Sequence, residues 1–145
     1  MEGKIIIRYA TQEDYEAFNK LYMQCVLLGG TGDPSNTKPY RKESFKVDCE
    51  TNIIVAEKNG ELVGYTLLDA TDEPDVIHIS EMFTAIFVRG TGVGRKMLKF
   101  LEEEMKGSQF TTIDLMSAFM ETDRIWERMG FKSLNFSDQY RKVVN

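Results

Sequence analysis

The chain has 145 residues, of which 42% are hydrophobic and 28% are charged, as in an ordinary globular protein and unlike a disordered or fibrous one. A formal net charge of -5 argues against a nucleic-acid-binding protein, which must neutralise several phosphates with lysine and arginine. One histidine and two isolated cysteines argue against a structural zinc site and against a disulfide framework, so we expect no metal.

No apolar run approaches the length of a signal peptide core or a membrane span. We therefore expect a single domain over residues 1–145, in the cytoplasm, with no membrane contact and no nucleic-acid partner. Nothing in the sequence determines the oligomeric state, although the terminal strands predicted below offer edges through which a homodimer is possible.

The first part of the chain predicts a strand followed by a helix. Residues 4–9 are rich in isoleucine, and Thr11 with Asp14 resembles a capping box. Gly29-Gly30 would end the helix. Apolar and aromatic residues recur between them at helical spacing: Tyr15, Phe18, Leu21, Tyr22, Cys25 and Val26.

Residues 28–40 read as a long loop, rich in glycine, proline and small polar residues. The loop lacks the Gly-Lys-Ser/Thr ending of a phosphate-binding loop, so we interpret it as a segment that shapes an acceptor site. A short helix over residues 41–50 follows. Residues 53–57 and 62–69, joined through Asn59-Gly60, then predict a β-hairpin.

Residues 76–106 combine a strand pattern, a glycine turn and a helix pattern. The β-branched and aromatic run over residues 76–88 predicts a strand, and three glycines alternate directly after it. A helix with one apolar face follows and ends near Gly107. A glycine turn between a strand and a helix N-terminus is typical of anion-binding sites.

The remaining residues predict a strand over 111–116, a helix over 119–129, and two strands over 131–136 and 139–144. The order of elements implies a mixed α/β (α+β) sheet.

Several of these motifs resemble the GCN5-related N-acetyltransferases, the acetyl-CoA-dependent GNAT superfamily. The sequence RGTGVG at residues 89–94 fits the family's Arg/Gln-x-x-Gly-x-Gly pyrophosphate motif. The first strand and helix, the hairpin, and the sequence ERMGF at residues 127–131 match the family in the same order. The resemblance implies a mostly antiparallel sheet of six or seven strands flanked by helices, with a splay between strands 4 and 5.

The resemblance also implies a cofactor site for acetyl-CoA. Backbone groups of the fourth strand would pair with the pantetheine arm, and the glycine turn would hold the pyrophosphate. A dinucleotide-binding turn fits less well, because Arg95 stands where the third glycine belongs. The implied cofactor-binding residues are Met82, Phe83, Thr84, Arg89, Gly90, Thr91, Gly92, Val93, Gly94 and Arg95.

The implied activity is direct transfer of acetyl to a primary amine of a small molecule or a peptide, in a ternary complex. Such an amine must lose a proton, so a base is needed. His78 is the leading candidate, because an imidazole has an unperturbed pKa of about 6.5. Glu81, on the opposite face of the strand by simple alternation, and Asp114, on the next strand of the sheet, are the other candidates.

One departure from the family pattern supports a second interpretation. Trp126 stands where the family often has a tyrosine acid, and Phe119 stands in place of an asparagine. Both aromatic residues are also compatible with a core stripe, while Tyr65 and Tyr140 remain alternative acids. A non-catalytic acyl-CoA-binding or sensing domain is therefore the alternative, and a nucleotide-binding regulator is a third reading.

Overall fold

A computed structural model describes residues 4–27, 39–116, 125–134 and 139–144. Among the helices in these ranges, none is both long enough and apolar enough to cross a membrane. The elements are β1 (Ile5–Tyr9), α1 (Tyr15–Leu27), α2 (Lys42–Asn52), β2 (Ile53–Lys58), β3 (Glu61–Ala70), β4 (Val76–Thr84), α3 (Val93–Met105), β5 (Thr112–Met116), β6 (Lys132–Ser133) and β7 (Gln139–Val143).

The seven strands form a mixed sheet in the order β1-β2-β3-β4-β5-β7-β6. The pairs β1–β2, β2–β3, β5–β7 and β6–β7 are antiparallel, whereas β4 and β5 are parallel. The β4–β5 ladder ends at Ile79 and Leu115, although β4 continues to Thr84. The predicted fold class, a mostly antiparallel sheet that splays between strands 4 and 5, is confirmed.

The predicted hairpin is formed by β2 and β3. Asn59 has a φ of 53° and Gly60 a φ of 79°, so both central residues adopt the left-handed conformation of a type I′ turn. Asparagine and glycine are the residues that tolerate this conformation best, which is why the dipeptide alone predicts the turn.

The start of the first helical segment is fixed by a small network of charges. The Thr11 N–H donates to the Asp14 carboxylate at 2.8 Å, as the capping-box prediction requires. The Arg8 guanidinium donates to the same carboxylate and also to Glu57 of β2. The hydrogen bond from Arg8 lowers the pKa of Asp14, so the helix start is tied to β1 and β2 by an ionised carboxylate.

The described residues fall into two compact units. The first comprises Met1–Leu67 and Glu81–Leu98, and the second comprises Leu68–Ser80 and Lys99–Asn145. In the first unit, Phe18, Phe45 and Tyr65 are buried, and the Phe18 ring contacts the rings of the other two. The core of the second unit includes the buried side chains of Leu101, Met105, Ile113, Leu115 and Phe131.

Gly64 of β3 marks a close approach within the first unit. A Cβ atom at this position would lie 3.1 Å from the carbonyl oxygen of Phe83 and 3.2 Å from side-chain atoms of Met97 and Val93. Such contacts are tighter than ordinary van der Waals packing. The absence of a side chain at residue 64 is therefore what lets the first turns of α3 pack against β3.

Two predicted strands are longer than the observed ones. The strand predicted over residues 76–88 ends at Thr84, where the Ala85 N–H donates to Val63 and a short 3₁₀ turn, Ile86–Val88, begins. Ile86 and Phe87 are 63% and 72% exposed, so apolar composition misled the prediction there. The strand predicted over residues 131–136 is reduced to Lys132–Ser133, and residues 135 and 136 lie outside the described ranges.

The other predicted elements are observed with small shifts of their ends, except where they lie outside the described residues. Those exceptions are most of the loop over residues 28–40, the end of the first helix at Gly29-Gly30, and residues 119–124 of the predicted helix before Ile125. Residues 125–128 are helical, which agrees with the rest of that prediction.

Candidate active site

The glycine turn lies between the 3₁₀ turn after β4 and the start of α3. Gly90 and Gly92 have φ values of 82° and 89°, which favour glycine over every other residue. No atom lies within 4 Å of a Cβ built at either position, and both residues are exposed. The turn therefore leaves open space in front of its backbone.

Helix α3 begins at Val93. The Lys96 N–H, in its first turn, donates to the carbonyl oxygen of Gly92 at 3.0 Å. The N–H groups of the first helical turn have no carbonyl partner within the helix. These donors and the positive end of the helix dipole face the space beside the glycines, which is how a protein binds a phosphate without a dedicated side chain.

Arg89 connects this turn to the end of β4. Its Nε atom donates to the carbonyl oxygen of Thr84 at 3.2 Å, and its guanidinium carbon lies 5.4 Å from the centre of the Phe83 ring. The sulfur of Met82 lies 3.5 Å from the Cβ position of Gly94 in α3. The first unit thus brings together the residues predicted to bind the cofactor, 82–84 and 89–95.

The edge of β4 suits an extended ligand over the same residues. The ladder between β4 and β5 ends at Ile79, and Met82, Phe83 and Thr84 lie beyond that point. A strand that continues past its neighbour offers main-chain groups to which an extended chain can add as another strand.

His78 and Asp114 form a hydrogen-bonded pair in the second unit. They are register partners on β4 and β5, and the His78 Nδ1 atom lies 2.6 Å from the Asp114 Oδ1 atom. The imidazole is 28% exposed and the carboxylate 9% exposed. A carboxylate against Nδ1 favours the proton on that nitrogen, which leaves Nε2 as the basic atom.

The other oxygen of Asp114 is also held. It accepts a hydrogen bond from the Gln139 side chain at 3.2 Å, and the Arg141 guanidinium, which pairs with Glu73, lies 3.9 Å away. Asp114 is one of the three bases predicted from the sequence. Both of its carboxylate oxygens accept hydrogen bonds, one of them at His78.

Glu81 belongs to a separate cluster in the first unit. Its Oε2 atom accepts a hydrogen bond from the Tyr65 hydroxyl at 2.7 Å, and its Oε1 atom accepts one from the Cys25 thiol at 3.4 Å. Burial raises the pKa of Glu81, and the two hydrogen bonds oppose that rise. Glu81 is therefore a partly buried carboxylate held by two hydrogen bonds.

The donors to Glu81 hold their protons firmly. Burial raises the pKa of Cys25 to about 12, and burial together with the charge of Glu81 raises the pKa of Tyr65. Sequence reasoning missed both residues as partners of Glu81. Cys25 read as part of the apolar face of α1, and no local pattern connects it with a residue 56 positions further along the chain.

Comparison with known proteins gives one family. The family model of the GNAT acetyltransferases matches residues 9–131. This chain belongs to the GNAT acetyltransferase family. A search of curated proteins found no match.

Solved structures of GNAT proteins have the same fold. An acetyltransferase from Staphylococcus aureus Mu50 is 16% identical with a TM-score of 0.75, over 98% of this chain and 100% of that one. N-acetylglutamate synthase from Neisseria gonorrhoeae, complexed with coenzyme A and N-acetyl-glutamate, is 15% identical with a TM-score of 0.78, over 100% and 36%. The yncA protein of Salmonella typhimurium with acetyl-CoA is 18% identical with a TM-score of 0.72, over 97% and 94%.

The residues that depart from the GNAT pattern can now be placed. The Trp126 ring meets the buried ring of Phe131 edge-on, with 5.5 Å between the ring centres, which favours the core interpretation of this tryptophan. Phe119 lies outside the described residues. Of the two alternative acids, Tyr65 donates a hydrogen bond to Glu81 and Tyr140 is buried.

Proposed function

We propose that this chain is an acetyl-CoA-dependent N-acetyltransferase that acts on a primary amine of a small molecule or a peptide. The observation that carries the proposal is the exposed turn with Gly90 and Gly92 at positive φ, set between the end of β4 and the first turn of α3. Open backbone, helix dipole and the nearby Arg89 suit a diphosphate, and the edge of β4 suits an extended pantetheine arm.

The family and the ligands of similar structures support the choice of cofactor. The Neisseria synthase was solved with coenzyme A and the Salmonella protein with acetyl-CoA. The residues that would hold acetyl-CoA here are 82–84 and 89–95, and acetyl-CoA supplies the acetyl group as a thioester. Each of these contacts uses mainly backbone atoms, so unusual side chains on the strand do not weaken the proposal.

His78 is the base that we propose, with Asp114 as its positioning residue. The Nε2 atom of His78 accepts the proton that the amine loses while the amine nitrogen bonds to the acetyl carbon. In the same exchange the carbon–sulfur bond breaks and the departing thiolate takes a proton from water, and the hydroxide so formed takes the proton from Nε2, which restores the neutral imidazole. Asp114 keeps the imidazole proton on Nδ1 and so keeps Nε2 basic.

Binding and turnover test this function separately. Acetyl-CoA should raise the midpoint temperature of unfolding by mass action, and neither ATP nor NAD should match that shift. Incubation with acetyl-CoA and a broad panel of primary amines should then release free CoA, measured with a thiol reagent. Absence of stabilisation by acetyl-CoA would contradict the cofactor assignment.

The alternative is a non-catalytic acyl-CoA-binding or sensing domain. One observation favours it: Trp126, packed on Phe131, occupies the position where family members often carry a tyrosine acid. This alternative predicts stabilisation by acetyl-CoA with no release of CoA for any amine in the panel. The cytoplasmic location and the possible homodimer remain predictions from the sequence.

A further inference from the structure

A row of polar side chains crosses three neighbouring strands of the second unit. His78 on β4 and Asp114 on β5 are register partners, and Asp114 is in turn the register partner of Arg141 on β7. Register partners project from the same face of a sheet, so these three side chains stand side by side. Gln139 lies two residues before Arg141 and shares that face. Strand β7 thus places two polar side chains beside the pair that contains the proposed base.

Gln139 donates to the Asp114 oxygen that His78 does not use. The Gln139 Nε2 atom lies 3.2 Å from Oδ2, and the His78 Nδ1 atom lies 2.6 Å from Oδ1. A carboxylate only accepts hydrogen bonds, so the amide must present its NH₂ group at this contact. With a donor on each oxygen, the carboxylate cannot turn about its Cβ–Cγ bond without breaking a hydrogen bond. Gln139 therefore fixes the plane in which Oδ1 meets the imidazole.

Arg141 places a positive charge on the same oxygen. Its Nη2 atom lies 3.9 Å from the Asp114 Oδ2 atom and also donates to Glu73, which limits how far the guanidinium can move. The Asp114 side chain is only 9% exposed, and a buried carboxylate needs charged or hydrogen-bonding partners. Because the attraction of Arg141 acts on Oδ2, Oδ1 is left to His78.

We infer that Gln139 and Arg141 are positioning residues for His78: they hold Oδ2 of Asp114, so that Oδ1 keeps the imidazole proton on Nδ1. This inference rests on the proposed function, in which the unprotonated Nε2 atom of His78 accepts the proton of the amine. Both residues act through Asp114 and not on the reacting atoms. The protonation state of one nitrogen on β4 is thus set by side chains that lie two strands away.

The tautomer of His78 can be observed without turnover, because His78 is the only histidine in the sequence. In protein labelled with ¹⁵N-histidine, the nitrogen shifts of this one imidazole distinguish a protonated from an unprotonated ring nitrogen. When the pH is raised until the imidazole is neutral, the wild type should carry its proton on Nδ1. Asp114→Asn gives the opposite reference, because an amide can donate to Nδ1. A wild-type proton on Nε2 would overturn the inference.

Two variants remove the partners of Oδ2 one at a time. Gln139→Met and Arg141→Met keep unbranched side chains, and both residues are only partly buried, so the variants should fold. In each of them the carboxylate is less constrained, and the imidazole proton should be shared between the two ring nitrogens. If Gln139→Met does not fold, Gln139→Leu removes the same donor. A proton that stays wholly on Nδ1 excludes the substituted residue from the positioning role.

Lys132→Met is the matched control. Lys132 is exposed and is the register partner of Arg141 on β6, so the change removes the same charge from the same face, one strand further from Asp114. The tautomer of His78 should stay as in the wild type. A redistribution equal to that in Arg141→Met would show a general effect of charge and would overturn the role of Arg141.

Kinetics relate the tautomer to the reaction. With any amine that the wild type acetylates, Gln139→Met and Arg141→Met should each lower kcat about tenfold, the effect of losing a hydrogen bond to a charged group. KM for the amine and for acetyl-CoA should stay within about twofold, because these residues do not bind either substrate. An unchanged kcat, or a rise in KM at constant kcat, would overturn the positioning role.

A double-variant cycle shows whether the effect passes through Asp114. In an Asp114→Asn background, Gln139→Met should lower kcat no further, because the carboxylate that it positions is gone. Independent, multiplied losses would overturn the inference. Stabilisation by acetyl-CoA is measured in every variant, so a loss of cofactor binding is recognised as a failure of the proposed function. If the wild type acetylates no amine, the proposed function fails while the tautomer of His78 still decides whether Gln139 and Arg141 position the imidazole.

Discussion

Glu81 is a partly buried carboxylate that forms no ion pair with any described residue, and its burial lowers the stability of the folded protein. Burial is the largest influence on Glu81, and it opposes the charged form. The hydrogen bonds from Tyr65 and Cys25 offset part of that cost. Because the folded protein binds the Glu81 proton more tightly than the unfolded chain does, protonation of this group favours the folded state.

The sign of this linkage can be measured with Glu81→Gln. The folded pKa of Glu81 is raised, so its contribution to stability is fully present below the unfolded value near 4.5 and is lost as the pH rises through the folded pKa. At neutral pH the glutamine variant should therefore unfold at a higher temperature than the wild type. The difference should shrink as the pH falls towards 4, and a less stable variant at neutral pH would contradict this account.

His78 and Asp114 allow a second prediction at the residue scale. His78→Ala should lower kcat about 10²- to 10⁴-fold and flatten the pH profile near neutrality, because the proton acceptor is gone. Asp114→Asn should lower kcat in the same direction, because an amide can donate to Nδ1 and so move the imidazole proton to Nε2.

The control for this pair is Asp69→Asn, which removes an exposed carboxylate from β3. It should leave the rate unchanged. A wild-type pH profile in His78→Ala would remove His78 from the mechanism.

At the scale of single elements, the glycines on either side of helix α3 can be compared directly. Gly92 before the helix and Gly107 after it have φ values of 89° and 76°, and neither has an atom within 4 Å of a Cβ position. Alanine at either residue should therefore cost a similar amount of stability, about 1 kcal/mol. Only Gly92→Ala should also weaken acetyl-CoA binding, by about tenfold or more, because it disturbs the backbone N–H groups that we propose bind the diphosphate.

Thermal unfolding with and without acetyl-CoA checks both parts of this prediction. The two variants should lose similar amounts of stability in buffer, and Gly107→Ala should regain as much as the wild type when acetyl-CoA is added. Equal loss of the acetyl-CoA effect in both variants would argue that helix stability, and not the turn, controls binding.

The elements that the sequence predicts well are those with local signals. Asn59-Gly60 specifies its own turn, and the capping pair of Thr11 and Asp14 lies within a few residues of the helix it starts. The predicted end of β4 was wrong because Ile86 and Phe87 have strand propensity. The hydrogen bond from the Ala85 N–H to Val63, just after β4, depends on a strand that lies more than 20 residues earlier in the chain.

The glycine turn was likewise readable, since RGTGVG is a continuous motif between recognisable elements. The two polar clusters, His78 with Asp114 and Glu81 with Cys25, could not be read from the sequence, because they join residues far apart in the chain. Asp114 is 36 positions from His78, and Cys25 is 56 positions from Glu81. The register between β4 and β5 places Asp114 beside His78, and the packing of α1 places Cys25 beside Glu81. No local sequence pattern specifies this register or this packing.

For the whole molecule, the sequence predicts one domain, and two probes test whether it unfolds as one. Cys25 and Cys49 are free and buried in the first unit, and burial raises the pKa of both thiols. A thiol reagent should therefore react with them only after that unit opens. Trp126, the single tryptophan, reports on the second unit through its fluorescence.

In a urea titration, thiol reactivity and tryptophan fluorescence should give the same midpoint, because β3, β4 and α3 each contribute residues to both units. Cys49→Ser leaves Cys25 as the sole thiol and checks that both cysteines report the same event. Separate midpoints would show that the units unfold independently.

The tight packing at Gly64 also affects how this protein can change over generations. Residue 64 makes no proposed contact with a ligand, yet a methyl group there would press on the Phe83 carbonyl and on the beginning of α3. A substitution at this position would move the cofactor edge and the glycine turn together. In a library of random variants, position 64 should therefore be as intolerant of substitution as the glycine turn, whereas exposed positions of α1 should accept new side chains without moving the backbone proposed to hold acetyl-CoA.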